Sequence, residues 1–210
     1  MRPNLRTKRE LIVEPIGLRA EELPKPTAGS LLFGNEHPVE LEIGSGKGTF
    51  LTDQAKDRPE VNFLGLERAH KYWMYSSDRL RRNGCLNTRM ILADATIFVS
   101  ENLADTSLSA IHIFFPDPWP KKRHHKRRLI QGPFLEQAER VLEQGGRLQI
   151  VTDFEGYYQQ IERVVRASNL KETEYRTPGS VADGEIAGTN FERKYRREGR
   201  PFYAIAAVKT

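Results

Sequence analysis

The sequence predicts an α/β protein built on one mostly parallel, doubly wound sheet. Three observations lead there: five short apolar runs that read as strands, helix-sized segments between them, and an acidic residue standing at the carboxyl end of every run. Alternation of this kind produces parallel strands with helices on both faces, joined by right-handed crossovers. The 210 residues, 38% hydrophobic and 29% charged, suit a single domain around one core.

Taken in order, residues 1–36 contain Pro3, Pro15, Pro24 and Pro26 with no sustained period and read as a flexible N-terminal arm, leaving 37–210 as the domain. The strand candidates are "VELEI" (39–43), "VNFLGL" (61–66), "TRMILA" (88–93), "AIHIFF" (110–115) and "RLQIVT" (147–152). A helix over 70–83, "HKYWMYSSDRLRRN", mixes a core stripe with Lys71, Arg79, Arg81 and Arg82; Tyr72, Trp73 and Tyr75 are expected to pack as structure. Another helix over 133–143 opens on Pro133 and repeats apolar residues at Phe134, Leu135, Ala138, Val141 and Leu142. It is expected to stop at Gly145 and Gly146. After the amphipathic "FEGYYQQIERVVRAS" the rhythm changes. "KETEYR" and "FYAIAAV" read as two further strands, separated by a long polar, Gly-rich loop and closing the sheet as a hairpin-like pair.

Composition narrows the function. Cys85 is the one cysteine, which excludes an intramolecular disulfide and leaves no metal-ligand spacing, so no metal is expected. No apolar run approaches the length of a membrane span, and "MRPNLRTKRE" lacks the apolar core of a secretion signal, so a cytoplasmic protein without a membrane partner is expected. The net charge of +5 is concentrated: Lys121, Lys122, Arg123, Lys126, Arg127 and Arg128 lie within eight residues, and without them 27 basic residues face 28 acidic ones. A basic patch on an otherwise neutral protein is the footprint of a surface that binds a polyanion.

The acids at the strand ends are Glu42, Glu67, Asp94, Asp117 and Asp153. In open α/β sheets the ligand crevice lies outside those ends, near the point where strand order reverses. The first turn, "ELEIGSGKGTF", places Gly44, Gly46 and Gly48 between strand and helix, where missing side chains let a ligand approach the backbone. It misses the dinucleotide pattern at Thr49 and the P-loop pattern at Gly48. Glu42, two residues ahead of Gly44, would repel a pyrophosphate and attract a cation. S-adenosylmethionine fits these demands: an adenosine without phosphate, an ammonium and a sulfonium. Glu67 then suits the ribose hydroxyls and Asp94 the adenine end, while Lys47 faces solvent.

In "FFPDPWPKKRHHKRRL" (114–129), Pro116, Pro118 and Pro120 fix the backbone around Asp117 at low entropic cost. Asp117 is expected beside the methyl donor and the cations beside RNA phosphates; Trp119 reads equally as a base-stacking platform or as a hydrophobic lid. His124 and His125 are read as bystanders or phosphate contacts. Arg193, Lys194, Arg196, Arg197 and Arg200 form a second basic stretch, read as a flap over the RNA or a solvated loop.

On "VELEIGSGKG", "FLGLE", "FFPDPWPKKRHHKRRL", "VTDFEGY" and "GTNFERKY", the chain from about residue 37 to 208 resembles the bacterial tRNA (guanine-N7)-methyltransferase family. The resemblance implies a Rossmann-like class I methyltransferase fold of seven strands with an antiparallel C-terminal strand. It implies methyl transfer to N7 of guanosine at position 46 in the tRNA variable loop; the sequence leaves monomer or homodimer open. Carried over by motif, Glu42, Glu67, Asp94 and Asp117 contact the cofactor, and Lys121, Asp153, Thr189, Asn190, Phe191 and Glu192 the substrate. From the residues themselves, Gly44 and Gly46 of the glycine turn are expected beside the cofactor, Asp117 is the catalytic choice with Asp153 or Glu192 as assistants, and Lys122, Arg123, Lys126, Arg127 and Arg128 of the basic patch are expected on the RNA backbone. Two rival readings are a methyltransferase acting on an exocyclic amino group, since "DPW" partly matches the motif used there, and a non-catalytic tRNA-binding module.

Overall fold

A computed structural model describes residues 10–179 and 181–210. Eight strands form one sheet: β1 (Gly17–Arg19), β2 (Val39–Ile43), β3 (Asn62–Glu67), β4 (Thr88–Leu92), β5 (Leu108–Phe114), β6 (Leu142–Thr152), β7 (Lys171–Thr173) and β8 (Tyr203–Val208). Their spatial order is β1-β4-β3-β2-β5-β6-β8-β7, with β8 antiparallel to both its neighbours and all other pairings parallel. The order reverses between β2 and β5, which creates a crevice at their carboxyl ends.

Period-two alternation on the strands assigns each face its helices. Leu41, Ile43, Leu64, Leu66, Ile111 and Ile113 point to one face. There they meet Phe98 of α4 (Ala95–Glu101), Phe134 and Ala138 of α5 (Gly132–Val141) and Tyr157, Ile161 and Val165 of α6 (Glu155–Arg166). On the other face Phe63, Met90, Phe114 and Val151 pack with Phe50 and Leu51 of α2 (Thr49–Asp57) and Trp73 and Leu80 of α3 (His70–Arg82). Spacings such as 157, 161 and 165 give each helix one apolar stripe, and that stripe is what holds it to the sheet.

Three expectations need correction. From residue 10 on, the N-terminal segment is docked rather than a loose arm; residues 1–9 lie outside the described residues. Ile16 is fully buried, β1 extends the sheet beside β4 and makes it eight-stranded rather than seven-stranded, and Thr27 bridges to Leu103. After Thr27 the short helix α1 (Gly29–Phe33) leads into β2. The prolines hide this because they interrupt any period without removing the apolar residues between them. At Gly17 a Cβ would stand 2.9 Å from both Ser77 Oγ and the Trp73 ring, so only glycine lets β1 lie this close to α3.

Secondly, α5 ends at Val141, and Gly145 and Gly146 lie inside β6, where the register jumps from Leu108↔Leu142 to Ala110↔Arg147. The bulge needs them: Gly145 has φ +81, and a Cβ on Gly146 would lie 2.8 Å from the Glu143 carbonyl. Thirdly, the long loop before β8 contains a helix, α7 (Asn190–Arg197).

A buried polar group braces the α2 face. Glu40 receives two hydrogen bonds from Arg58, at 2.7 and 2.8 Å, and lies 2.9 Å from His112 Nε2. Burial alone would raise its carboxyl, but His112 and Arg58 outweigh burial and hold it at about 2, below its ordinary 4.5. A depressed acid stabilises the fold above its unfolded value and loses that contribution as pH falls through the folded one. Between about pH 4.5 and 2 the protein is therefore expected to lose on the order of 3 kcal/mol through this group. Chemical denaturation of Glu40→Gln should show a lower stability at neutral pH and a flatter loss in acid.

Candidate active site

Parallel pairing brings the five strand-end acids to one edge of the sheet. In the order β4, β3, β2, β5, β6 they read Asp94, Glu67, Glu42, Asp117 and Asp153. Glu42 and Asp117 thus flank the reversal point. Glu42 and Asp117, 75 positions apart in sequence, become neighbours only through this topology.

The glycine turn is built around that edge. Gly44, Gly46 and Gly48 have φ of 81, 52 and 66, a region that disfavours side chains. Gly44 N and Ser45 N donate to the Leu66 carbonyl, tying the turn to β3. Glu67 locks it further, because its two carboxylate oxygens accept from Gly46 N (2.9 Å) and Ala69 N (2.8 Å), bridging the turn to the start of α3. A carboxylate has about four lone-pair sites, so Glu67 keeps acceptor capacity for a ligand hydroxyl. Nothing lies within 4 Å of where a Gly44 Cβ would stand, which leaves open space over the turn.

Glu42 is 4% exposed, and its Oε2 has no hydrogen-bond partner. Burial, reinforced by the neighbouring Glu67 charge, pushes its carboxyl up to about 8. A buried, unpartnered acceptor costs about 1 to 3 kcal/mol and calls for a donor from outside the protein. The residues therefore fit S-adenosylmethionine: a starved acceptor for a cationic ammonium, an acid with spare lone pairs for hydroxyls, and a glycine turn clear of side chains. Asp94 caps α4, accepting from Thr96 N (3.0 Å) and Ile97 N (3.4 Å), and lies 3.7 Å from Arg68; its side chain is 40% exposed.

Across the reversal point the acid is held from both sides. Phe115 and Trp119 take φ of 53 and 42, left-handed values costly for aromatic residues, and they bracket Pro116-Asp117-Pro118. Their rings explain how the strain is sustained. Phe115 packs edge-on against Tyr195 (5.6 Å) and Phe202 (5.5 Å), while Trp119 has the Arg127 guanidinium over its ring (5.0 Å) and His124 against its edge (5.8 Å). Trp119 is thus a packed anchor of its own loop. Asp117 itself is exposed and accepts no hydrogen bond from any described residue.

The cationic block forms a 3-10 turn, Lys122–Arg127, that leaves Lys121, Lys122, Arg123, Lys126 and Arg127 exposed. Arg128 departs from the expected phosphate role. It is 3% exposed, donates to Pro118 O (2.8 Å), Gly156 O (3.3 Å) and Gln160 Oε1 (2.7 Å), and lies over the Tyr157 ring. It serves as the strut beneath the Asp117 loop. Arg128→Ala should lower stability by on the order of 3 kcal/mol in calorimetric melts, and lysine should not rescue a forked role. Lys126→Gln should instead leave the melt unchanged and lower the salt dependence of tRNA binding.

The C-terminal segment completes the wall. Thr189 caps α7 through Glu192 N (3.1 Å), and Glu192, fully buried, accepts from the amides of Ile186, Ala187 and Gly188 and from Arg196. Both residues, expected as substrate contacts, therefore shape the loop from inside, because their polar atoms are engaged by its backbone. Asn190 donates to Thr49 Oγ1 (2.6 Å), docking α7 on the first turn of α2, and Phe191 is half exposed. Asp153 is ion-paired with Arg200 at 2.7 Å, and the Arg200 guanidinium stacks on Tyr195. Tyr195 in turn feels the charges of both Asp153 and Asp117, and burial raises its hydroxyl. Tyr195 was not singled out by sequence, and Arg200 and Thr49 entered there only as part of a basic stretch and as a departure from the dinucleotide pattern; the Thr189-x-x-Glu192 spacing, a capping signature, was the signal that could have located α7.

Among the described residues no helix is long and apolar enough to cross a membrane, and no cluster of three or more potential metal ligands occurs.

A family model described as "Putative methyltransferase" matches residues 36–205. The chain is 36% identical over 200 residues to a tRNA (guanine-N(7)-)-methyltransferase of Rhodopirellula baltica, covering 90% of this chain and 72% of that one. It is equally 36% identical to an enzyme of the same name from Oceanobacillus iheyensis, with 88% of each chain covered. The chain belongs to the tRNA (guanine-N(7)-)-methyltransferase family. Among solved structures, an antibiotic-related methyltransferase superposes with a TM-score of 0.60 over 85% of this chain and 92% of that one, at 14% identity. A 30S ribosomal A1408 methyltransferase from an uncultured bacterium gives 0.56 over 86% and 91%, at 17% identity. At those identities the likeness concerns the fold, and it is the fold expected: a class I methyltransferase sheet, here with β1 added at its edge.

Proposed function

We infer that the protein transfers a methyl group from S-adenosylmethionine to N7 of a guanosine in tRNA, at position 46 of the variable loop. The single observation that carries the reading is the pairing, across the reversal of strand order, of a buried Glu42 whose Oε2 is unpartnered with an exposed, rigidly held Asp117. S-adenosylmethionine supplies, when bound, an electrophilic methyl group on a sulfonium. Glu42, Glu67 and Asp94 hold it, with the backbone of Gly44 and Gly46 leaving room for close approach.

The rest is done by the chain's own residues. Guanine N7 has a lone pair and no proton, so no side chain need act as a base there. Alignment is the main demand, and good orientation can contribute about 7 to 11 kcal/mol to rate. Asp117, fixed by strained neighbours and by the Arg128 strut, accepts hydrogen bonds from the N1 and N2 donors of guanine and stabilises the positive charge the ring acquires. Asp153 stands on the neighbouring strand, held by Arg200, to support the same base edge. Lys121 and the exposed Asn190 and Phe191 line the approach. Lys122, Arg123, Lys126 and Arg127 take the RNA backbone.

Incubation with methyl-labelled cofactor and unmodified tRNA, followed by digestion to nucleosides, tests this. The label should appear in N7-methylguanosine, and the strand should become labile to reduction and mild base. Label in an amino-methylated nucleoside, or tRNA binding without transfer, would overturn it.

A further inference from the structure

α3 starts three residues beyond Glu67, at the same edge of the sheet as the crevice. Of its three aromatic residues only Trp73 packs inside, 4% exposed and donating from Nε1 to the Met90 carbonyl at 2.9 Å. Tyr72 and Tyr75 are 44% and 40% exposed, against the expectation that both would be structural. At about 100° per residue, Lys71, Tyr72, Tyr75, Arg79 and Arg82 fall on one stripe of the helix. The buried side of the same helix carries Trp73, Ser76, Ser77 and Leu80.

The stripe continues onto the crevice rim. Arg79 donates to Thr49 Oγ1 (2.9 Å) and to the Lys47 carbonyl (3.5 Å), tying α3 to the glycine turn, where the Lys47 side chain is exposed. Asn190 of α7 donates to the same Thr49 hydroxyl, so the exposed Phe191 borders the surface as well. Two of its lysines have no acidic partner among the described residues. Lys47 and Lys71 form no ion pair with any described residue, and Arg82 shares Asp78 with Arg81. Cations interleaved with exposed aromatic rings suit a nucleic acid, because lysines follow the phosphates while rings accept unpaired bases.

In the sheet, β3 and β5 lie on opposite sides of β2. α3 follows β3 and the 121–127 block follows β5, so the two basic surfaces stand on opposite sides of the crevice. We propose that the exposed stripe of α3, with Lys47, is a second tRNA-contact face that holds the RNA on the far side of the crevice from the 121–127 block. The proposal rests on the tRNA reading above and extends it: Lys47, Lys71 and Arg82 contact phosphates, while Tyr72 and Tyr75 stack on unpaired bases. Substrate is thereby gripped on both sides of the reacting base.

Binding of unmodified tRNA over a salt series tests it, with Lys71→Gln/Arg82→Gln and Tyr72→Ala/Tyr75→Ala compared with the wild type. The lysine–arginine pair should lower the slope of log affinity against log salt by about 0.7 to 0.9 per lost phosphate contact. The tyrosine pair should weaken binding by about tenfold or more with the slope retained, as loss of stacking does. Cofactor affinity should stay at the wild-type value in both, and the tyrosine pair should melt as the wild type does; Arg82→Gln removes one of two partners of the buried Asp78, so binding by that variant is read below its own melting temperature. Wild-type tRNA affinity and slope in the variants would overturn the proposal, as would loss of self-association in sedimentation with tRNA binding intact, which would assign the face to a second copy. A wild-type enzyme that fails to methylate tRNA would instead sink the functional reading, so the two failures are distinguishable.

Discussion

Asp117→Ala is expected to lose methyl transfer by about 10² to 10³-fold while tRNA affinity stays within a few-fold. The expectation follows from how the residue is held. Its carboxylate is exposed and takes no hydrogen bond from any described residue, so removing it leaves no buried partner stranded and the fold should melt as before. The strained Phe115 and Trp119, the three prolines and the Arg128 strut all act on the backbone and survive the substitution. What disappears is the unpaired negative group positioned beside the charge that develops on the base, since Asp153 is already paired with Arg200. Single-turnover rates at saturating cofactor, alongside tRNA titration, separate the two quantities. Parallel loss of rate and affinity would mean that Asp117 holds RNA and does not serve the chemical step.

Glu42→Gln should weaken cofactor binding by about 10- to 100-fold, the worth of a hydrogen bond to a charged group in a buried site. The wild-type affinity should also depend on pH. Because the free enzyme holds the Glu42 proton up to about pH 8, binding a cation there requires that proton to leave. Affinity should therefore rise with pH, by up to about tenfold per unit below that value, and level off above it. The linkage to stability runs the other way: an acid whose value is raised in the fold loses stability as pH climbs from its ordinary 4.5 through about 8. The cofactor-free Glu42→Gln protein should thus hold its melting temperature better than wild type in mild alkali. Equal pH profiles for the two proteins would remove Glu42 from the cofactor site.

The parallel sheet was legible because five apolar runs alternate with helical periods, and each run ends in an acid; those acids came together because parallel strands all finish at one edge. β1 was not legible, since a three-residue strand between prolines carries no period, and only the pocket left by Gly17 against Trp73 lets it dock. Gly145 and Gly146 read as a helix stop because a bulge and a C-cap ask for the same residue. At the site, the glycine turn and the Asp117 loop were readable from local chemistry. Arg128 and Glu192 were misread for a common reason. A charge in a run of charges looks solvated in sequence, yet its burial depends on distant partners: Gly156 and Gln160 for Arg128, and a loop folded back over the side chain for Glu192. Tyr72 and Tyr75 failed in the opposite sense, aromatic residues that the helix turns away from the core.

Titration calorimetry of the cofactor in buffers of different ionisation enthalpy, at about pH 6.5, counts the protons that leave on binding. With Glu42 held at about 8 in the free enzyme, wild type should release close to one proton per cofactor and Glu42→Gln none. No release from wild type, or the same release from both proteins, would contradict a crevice whose buried acid waits for a positively charged methyl donor.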